Sequence, residues 1–343
     1  MDDHQLTEIY AFAKKLGRDA GQMLLDSAWS RIKTPLSYGN FQEKESSVDI
    51  VTKTDHGSLT TGPASTRHLA SADANCYSFL GEESYSAGSS KEYLVTSAPT
   101  WIVDPLDGTV NFTHLFPMFC VSIAFCTGGH PVIGVINAPF LNQFFSSCSG
   151  KGAWFNEQHQ LPLVRNPIPP LPEAAPSGCT FACEWGKDRR EGPEGNLNRK
   201  VISFLKMAME RKGRGGRGGM VHGVRSLGSM LNMVVMLMIR SATMDLAYTA
   251  MGSIDIWWEG GCWEWDVAAG IAILEEAGGL VTTANPPRDY TQAAIPQVKL
   301  GGRLYLAIRP AGSSDTETAL EAQHRVVRQV WQRVEALDYD RPQ

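Results

Sequence analysis

Residues 101–112 read Trp-Ile-Val-Asp-Pro-Leu-Asp-Gly-Thr-Val-Asn-Phe. Trp101, Ile102 and Val103 form an apolar run suited to a buried strand. Asp104 sits at its end, Pro105 is expected to stop the ladder, and Asp107-Gly108 has turn chemistry. Two carboxylates three residues apart are therefore expected at a strand end on a constrained backbone. Gly108 and Thr109 follow with backbone N–H groups that suit an anion. Oxygen ligands for a hard cation beside N–H donors for a phosphate point to metal-assisted phosphate chemistry. The plain alternative, for this short pattern by itself, is a turn with two solvated Asp.

The flanking sequence frames this stretch. Ile9, Phe12, Ala13, Leu16, Ala20, Met23 and Leu24 recur at helical spacing, so residues 5–32 are expected as an amphipathic helix. Val48 to Asp55 alternates and is β-branched, which suits a strand; Phe79 to Ser84 runs from a strand into acidic residues. Met118–Phe125, Pro131–Ala138 and Gln143–Cys148 are short apolar runs parted by turn residues, an antiparallel meander. Six prolines in residues 160–177 mark a connector between two halves, 1–160 and 175–343, of one domain. Strands are further expected at 254–258, 280–283 and 303–309. Asp266–Gly279 reads as a helix with Asp266 as its N-cap, and Thr316–Leu337 as a terminal amphipathic helix.

The bulk composition narrows the function classes. The chain has 343 residues, 43% hydrophobic and 20% charged, with a formal net charge of −5. That balance argues against a nucleic-acid partner and leaves small-molecule chemistry open. The basic run Arg211–Gly219 lacks interleaved aromatics, which weakens an RNA-binding reading. No apolar run reaches the ~18 residues of a membrane span, and the N-terminal residues lack signal-peptide order. Seven scattered cysteines without zinc-site spacing suit free thiols in a reducing, cytoplasmic setting.

Besides the Asp104/Asp107 pair, three acidic positions stand at expected element ends: Asp55 after VTKT, Glu82 after FLG, and Asp266 before the last core helix. Each alone suits a cap or a solvated charge. Asp55, Glu82, Asp104, Asp107 and Asp266 together supply oxygen ligands for two or three Mg²⁺ ions, as phosphate monoester hydrolysis requires.

At this point WIVDPLDGTVNFTHLFP, GEES, VDIVTKTD and WDVAAGIAILEEAGG resemble the motifs of the inositol monophosphatase family, in order and spacing, across about residues 5–310. RSLGS, SATMDLAYTAMGS and DIWWEGGCWEWD are similar, more narrowly, to the inositol-monophosphatase-like proteins of fungal quinate-utilisation clusters. The resemblance implies an α/β (α+β) fold, a layered αβαβα sandwich. It implies Mg²⁺-dependent, lithium-sensitive hydrolysis of inositol monophosphate or a related polyol phosphate, and a possible homodimer. By motif, Glu82, Asp104 and the Leu106 carbonyl bind one metal; Asp104, Asp107 and Asp266 bind a second. Glu82 also helps to hold a weaker third. Asp55 and Thr109, with Glu82 nearby, orient the nucleophilic water, and the Gly108 and Thr109 N–H groups hold the phosphate. Glu259, Gly228 and Ser229, with Asp107 and Asp266, fall at substrate-binding positions, and Lys44 matches a family lysine near the metals.

Two stretches depart from the family pattern. Residues 56–76 replace an expected helix with a Ser-, Thr-, Ala- and Gly-rich segment, and Met230–Arg240 resembles an insertion. Either both are genuine or the gene has been mistranslated there. The departures keep a second function in view: a non-catalytic binding or regulatory module of quinate metabolism on the same fold. A third keeps the chemistry and changes the small phosphate ester.

Overall fold

Alternation along the strand Cys120–Thr127 shows how the layers arise. Side chains on a strand point to opposite faces in turn. Val121, Ile123 and Phe125 join one apolar cluster, while Cys120, Ala124 and Cys126 join another. In this computed structural model, which describes residues 1–33, 77–82, 95–184, 188, 190, 192, 195–211, 215–226 and 241–339, the two clusters lie on opposite faces of one sheet.

That sheet runs in chain order through β1 (Ser78–Gly81), β2 (Thr100–Asp107), β3 (Cys120–Thr127), β4 (His130–Ala138), β5 (Gln143–Cys148), β6 (Gly152–Phe155) and β7 (His159–Gln160). The β1–β2 pair is parallel and all later neighbours are antiparallel, the meander expected from the turn residues. The second sheet has the order β11-β12-β10-β8-β9. Its strands are β8 (Thr180–Ala182), β9 (Gly223–Arg225), β10 (Ile256–Gly260), β11 (Leu280–Thr282) and β12 (Leu304–Ile308). The proline-rich connector lies between the last strand of one sheet and the first of the other.

Helix α1 (Asp3–Lys33) covers the outer face of the first sheet through Ile9, Ala13, Ala20, Leu24 and Ala28. A short helix, α2 (Thr109–Thr113), follows β2. Between the sheets lie α4 (Ala242–Met251) and α5 (Glu264–Glu276), whose core residues join those of both sheets in one cluster. Gly134 on β4 permits this packing, because a Cβ there would sit 2.3 Å from the Ala269 carbonyl oxygen. On the far face of the second sheet, α6 (Ala319–Trp331) packs Val326, Val327, Val330 and Trp331 against Trp258, Leu306 and Ile308. Helix α3 (Asn196–Ala208) contributes Met207 to that outer cluster. The result is the αβαβα sandwich.

Several local expectations need correction. Pro105 does not end the ladder; β2 continues to Asp107 through a register shift, where a missing N–H is tolerated. Asp266 is not the N-cap of α5 but its third residue, and its Oδ2 accepts the Trp263 N–H at 2.8 Å. The terminal helix is shorter than 316–337, and is capped by Thr318, whose Oγ1 accepts the Glu321 N–H. The strand at 254–258 is shifted to 256–260, which puts Glu259 on it.

Helices α3 and α4 escape the periodicity reading for different reasons. The inward face of α3 is partly polar, with Asn196, Lys200, Ser203 and Met207 buried while Val201 and Leu205 are exposed. Helix α4 is buried almost all round and so shows no apolar stripe. Asp55, Lys44, Gly228, Ser229 and the departures at 56–76 and 230–240 lie outside the described residues.

Candidate metal centre

The spacing of Asp104 and Asp107 would put them on opposite faces of a regular strand. The register resolves this. Asp104 pairs with Ser122 and Asp107 with Cys120, so three steps on β2 span two on β3. The extra residue is a bulge that flips the alternation. Ile102 precedes the bulge on the face between the sheets, and Leu106 after it points towards α1. Both carboxylates thus face the middle layer. Asp266, on the first turn of α5, meets them there: one oxygen from each of the three lies within 4.8 Å of the other two. Register also brings Glu82 alongside, one residue beyond the Gly81–Val103 pair of β1 and β2.

Gly108 makes the exit from β2 possible. Its φ is +83°, and a Cβ would stand 2.7 Å from the Met118 carbonyl oxygen. The turn is closed by Thr109, whose Oγ1 donates to the Leu106 carbonyl at 3.2 Å, and by the Leu106 N–H, which donates to Asp104 Oδ1 at 3.0 Å.

Asp104 and Asp107 are buried. Burial, then Glu82, Asp107 and Asp266, push Asp104 well above the usual carboxylate range. Burial and Asp266 push Asp107 up to about 8, against the opposing hydrogen bond of Ser241. Like charges gathered out of water call for a cation, and an all-oxygen donor set suits a hard one such as Mg²⁺. Ser241 Oγ donates to Asp107 Oδ2 at 2.8 Å, and the Cys120 thiol lies 3.8 Å from the same oxygen. Neither residue was marked as a site residue by motif; Ser241 sits at the end of the apolar run 230–240, which hides its helix-capping pattern.

Glu259 lies in a second buried ionic group, whose Asp245 also feels the charge of Asp107. It is fully buried and ion-paired with Lys200, also fully buried, on α3. The Glu184 N–H donates to Glu259 Oε2 at 2.7 Å, and Lys200 Nζ donates to the Glu184 carbonyl at 2.6 Å. Ser226 Oγ donates to Glu184 Oε2 at 3.0 Å. Asp245 of α4 completes the group. Its Oδ2 accepts the Trp257 Nε1–H at 3.1 Å, while Oδ1 has no hydrogen-bond partner among the described residues. Burial, then Glu184 and Glu259, push Asp245 well above its ordinary value.

A carboxyl whose pKa is raised by folding stabilises at acid pH, and that stability is lost as pH rises towards the folded value. Asp245→Asn keeps the acceptor for Trp257 and removes the charge. It is expected to stabilise the protein by about 1–3 kcal/mol at pH 8 and by less at pH 5, read from urea midpoints at the two pH values. A gain independent of pH would rule out this account.

This layered fold, with a three-carboxylate centre between its sheets, is shared with solved inositol monophosphatases. The chain belongs to the inositol monophosphatase family, whose profile matches residues 5–335. It is 62% identical over 341 residues to Protein qutG of Emericella nidulans, covering 98% of this chain and 96% of that one. It is 59% identical over 350 residues to the quinic acid degradation cluster protein x of Neurospora crassa, covering 98% and 97%. Among solved structures, the inositol monophosphatase from Anabaena (Nostoc) sp. PCC 7120 superposes with a TM-score of 0.62 at 26% identity, covering 96% of this chain and 98% of that one. Among the described residues no helix is long and apolar enough to cross a membrane. The six described cysteines are free and buried.

Proposed function

We propose that this chain is a Mg²⁺-dependent phosphate monoester hydrolase acting on inositol monophosphate or a related polyol phosphate. The observation that carries the reading is the Asp104–Asp107–Asp266 cluster beside the Gly108–Thr109 turn, in a member of this family. Glu82, Asp104 and the Leu106 carbonyl hold one metal; Asp104, Asp107 and Asp266 hold a second. Bound Mg²⁺ supplies a water activated at neutral pH and neutralises charge on the leaving oxygen. Asp55, Thr109 and Glu82 orient that water. The Gly108 and Thr109 N–H groups receive the phosphate, and Glu259, Gly228 and Ser229, with Asp107 and Asp266, meet the polyol. The working unit is the single domain 1–343, because the cluster between the sheets draws on both halves. The name of the Neurospora relative supports a place in quinate metabolism. Lithium sensitivity, a homodimer and a cytoplasmic location complete the proposal.

The test is phosphate release from inositol 1-phosphate with and without Mg²⁺. Absence of turnover on that ester and on a panel of sugar phosphates would overturn the reading. A chain that binds no Mg²⁺ or Mn²⁺ on titration would favour the non-catalytic binding or regulatory module, which the departures at 56–76 and 230–240 suggest.

A further expectation follows from Asp107. Its carboxyl is pushed up to about 8 in the metal-free protein, so a cation must displace protons to bind. Calorimetric Mg²⁺ titration at pH 7 is expected to show an enthalpy that depends on the buffer's ionisation heat, and an affinity that weakens from pH 8 to pH 6. Equal affinity at both pH values would exclude Asp107 from the ligand set.

A further inference from the structure

We propose that Ser241 is a positioning residue of the metal centre, holding the Asp107 carboxylate in the orientation that a cation requires. The inference rests on the metal-binding reading above.

The geometry leaves the hydroxyl little choice. Ser241 is fully buried and is the N-cap of α4. Its Oγ accepts the Met244 N–H at 3.2 Å, which uses a lone pair. Its single O–H is directed at Asp107 Oδ2, 2.8 Å away. The Cys120 thiol approaches that same oxygen from β3. Both donors converge on Oδ2, so the carboxylate's rotamer is set from the protein side and Oδ1 is the oxygen these donors leave.

The same helical turn reaches a second ligand. Thr243 Oγ1 donates to the backbone carbonyl of Asp266 at 2.8 Å. Asp107 stands on β2 and Asp266 on α5, and their carboxylates repel each other. The first turn of α4 touches both, tying the Asp107 carboxylate to the side chain of Ser241 and the Asp266 backbone carbonyl to that of Thr243. A partner that orients a ligating carboxylate typically contributes 10–100-fold to metal affinity. By motif the serine of this region is Ser229; among the described residues the serine at the acidic cluster is Ser241.

Two substitutions separate this role from simple helix capping. At an N-cap, Ser→Ala removes about 1 kcal/mol while Ser→Gly removes only a few tenths. Both delete the hydroxyl. The experiment measures Mg²⁺ dissociation constants by calorimetry, and metal-free urea midpoints, for the parent chain, Ser241→Ala and Ser241→Gly. The expected result is a Kd raised about 10–100-fold in both variants, with Ser241→Gly close to the parent in metal-free stability. Parent-like Mg²⁺ affinity in a folded Ser241→Gly chain overturns the proposal and leaves the metal site standing. A parent chain that binds no Mg²⁺ overturns both.

Discussion

Asp104→Asn is expected to lower metal-dependent phosphate release by about a thousand-fold or more while making the metal-free protein more stable. The two effects share one cause. Asp104 is buried against Glu82, Asp107 and Asp266, an arrangement that favours a bound cation and is unfavourable without one. Asparagine retains an oxygen for the Leu106 N–H, so the turn into Gly108 keeps its hydrogen bond while the charge is lost. The pH dependence separates the contributions. Folding raises the pKa of Asp104 and Asp107, so their contribution to metal-free stability is greatest at acid pH and is lost as pH rises from about 4 towards 8. Scanning calorimetry at pH 5 and pH 8 is expected to show this fall in the parent, its reversal by Mg²⁺, and a shallower fall in Asp104→Asn. Turnover at the parent's rate would remove Asp104 from the ligand set.

Lys200→Met is expected to be the most destabilising single change away from the metal centre. Lys200 and Glu259 are both fully buried, and their ion pair joins α3 to β10. Removing the cation leaves the Glu259 carboxylate in the core without its ion-pair partner. Breaking a buried pair in this way costs about 3–5 kcal/mol, a fall in melting temperature of roughly 10 °C for a chain of this size. The double variant Lys200→Met/Glu259→Gln is expected to recover part of the loss, because the Glu259 charge goes with its partner. Urea midpoints of the two single variants and the double close the cycle. A double variant as unstable as the sum of the singles would show that the two residues act independently. A raised KM with little change in kcat in Glu259→Gln would support its place beside the polyol.

Much of the architecture is legible in residue order. The meander from 118 to 148 is marked by short apolar runs between turn residues, and α1 by its apolar stripe. Helix α3 is not legible that way, because its buried face carries Asn196, Lys200 and Ser203, whose partners come from elsewhere in the chain. Those contacts have no local signal.

The metal centre divides along the same line. Residue types and spacing were enough to single out Asp104, Asp107 and Asp266 as candidate ligands, since short motifs encode local chemistry. Motif resemblance in the sequence alone pointed to the family and the layered sandwich, while periodicity and turn chemistry, which act over a few residues, marked individual strands and helices. Only the tertiary structure decided that Asp104 and Asp107 share a face, because that depends on β2 gaining one residue against β3. Only it placed Ser241 on Asp107 and Lys200 on Glu259, pairs separated by 134 and 59 residues. Burial makes such contacts strong, and burial is a property of the packed layers that no stretch of sequence carries by itself.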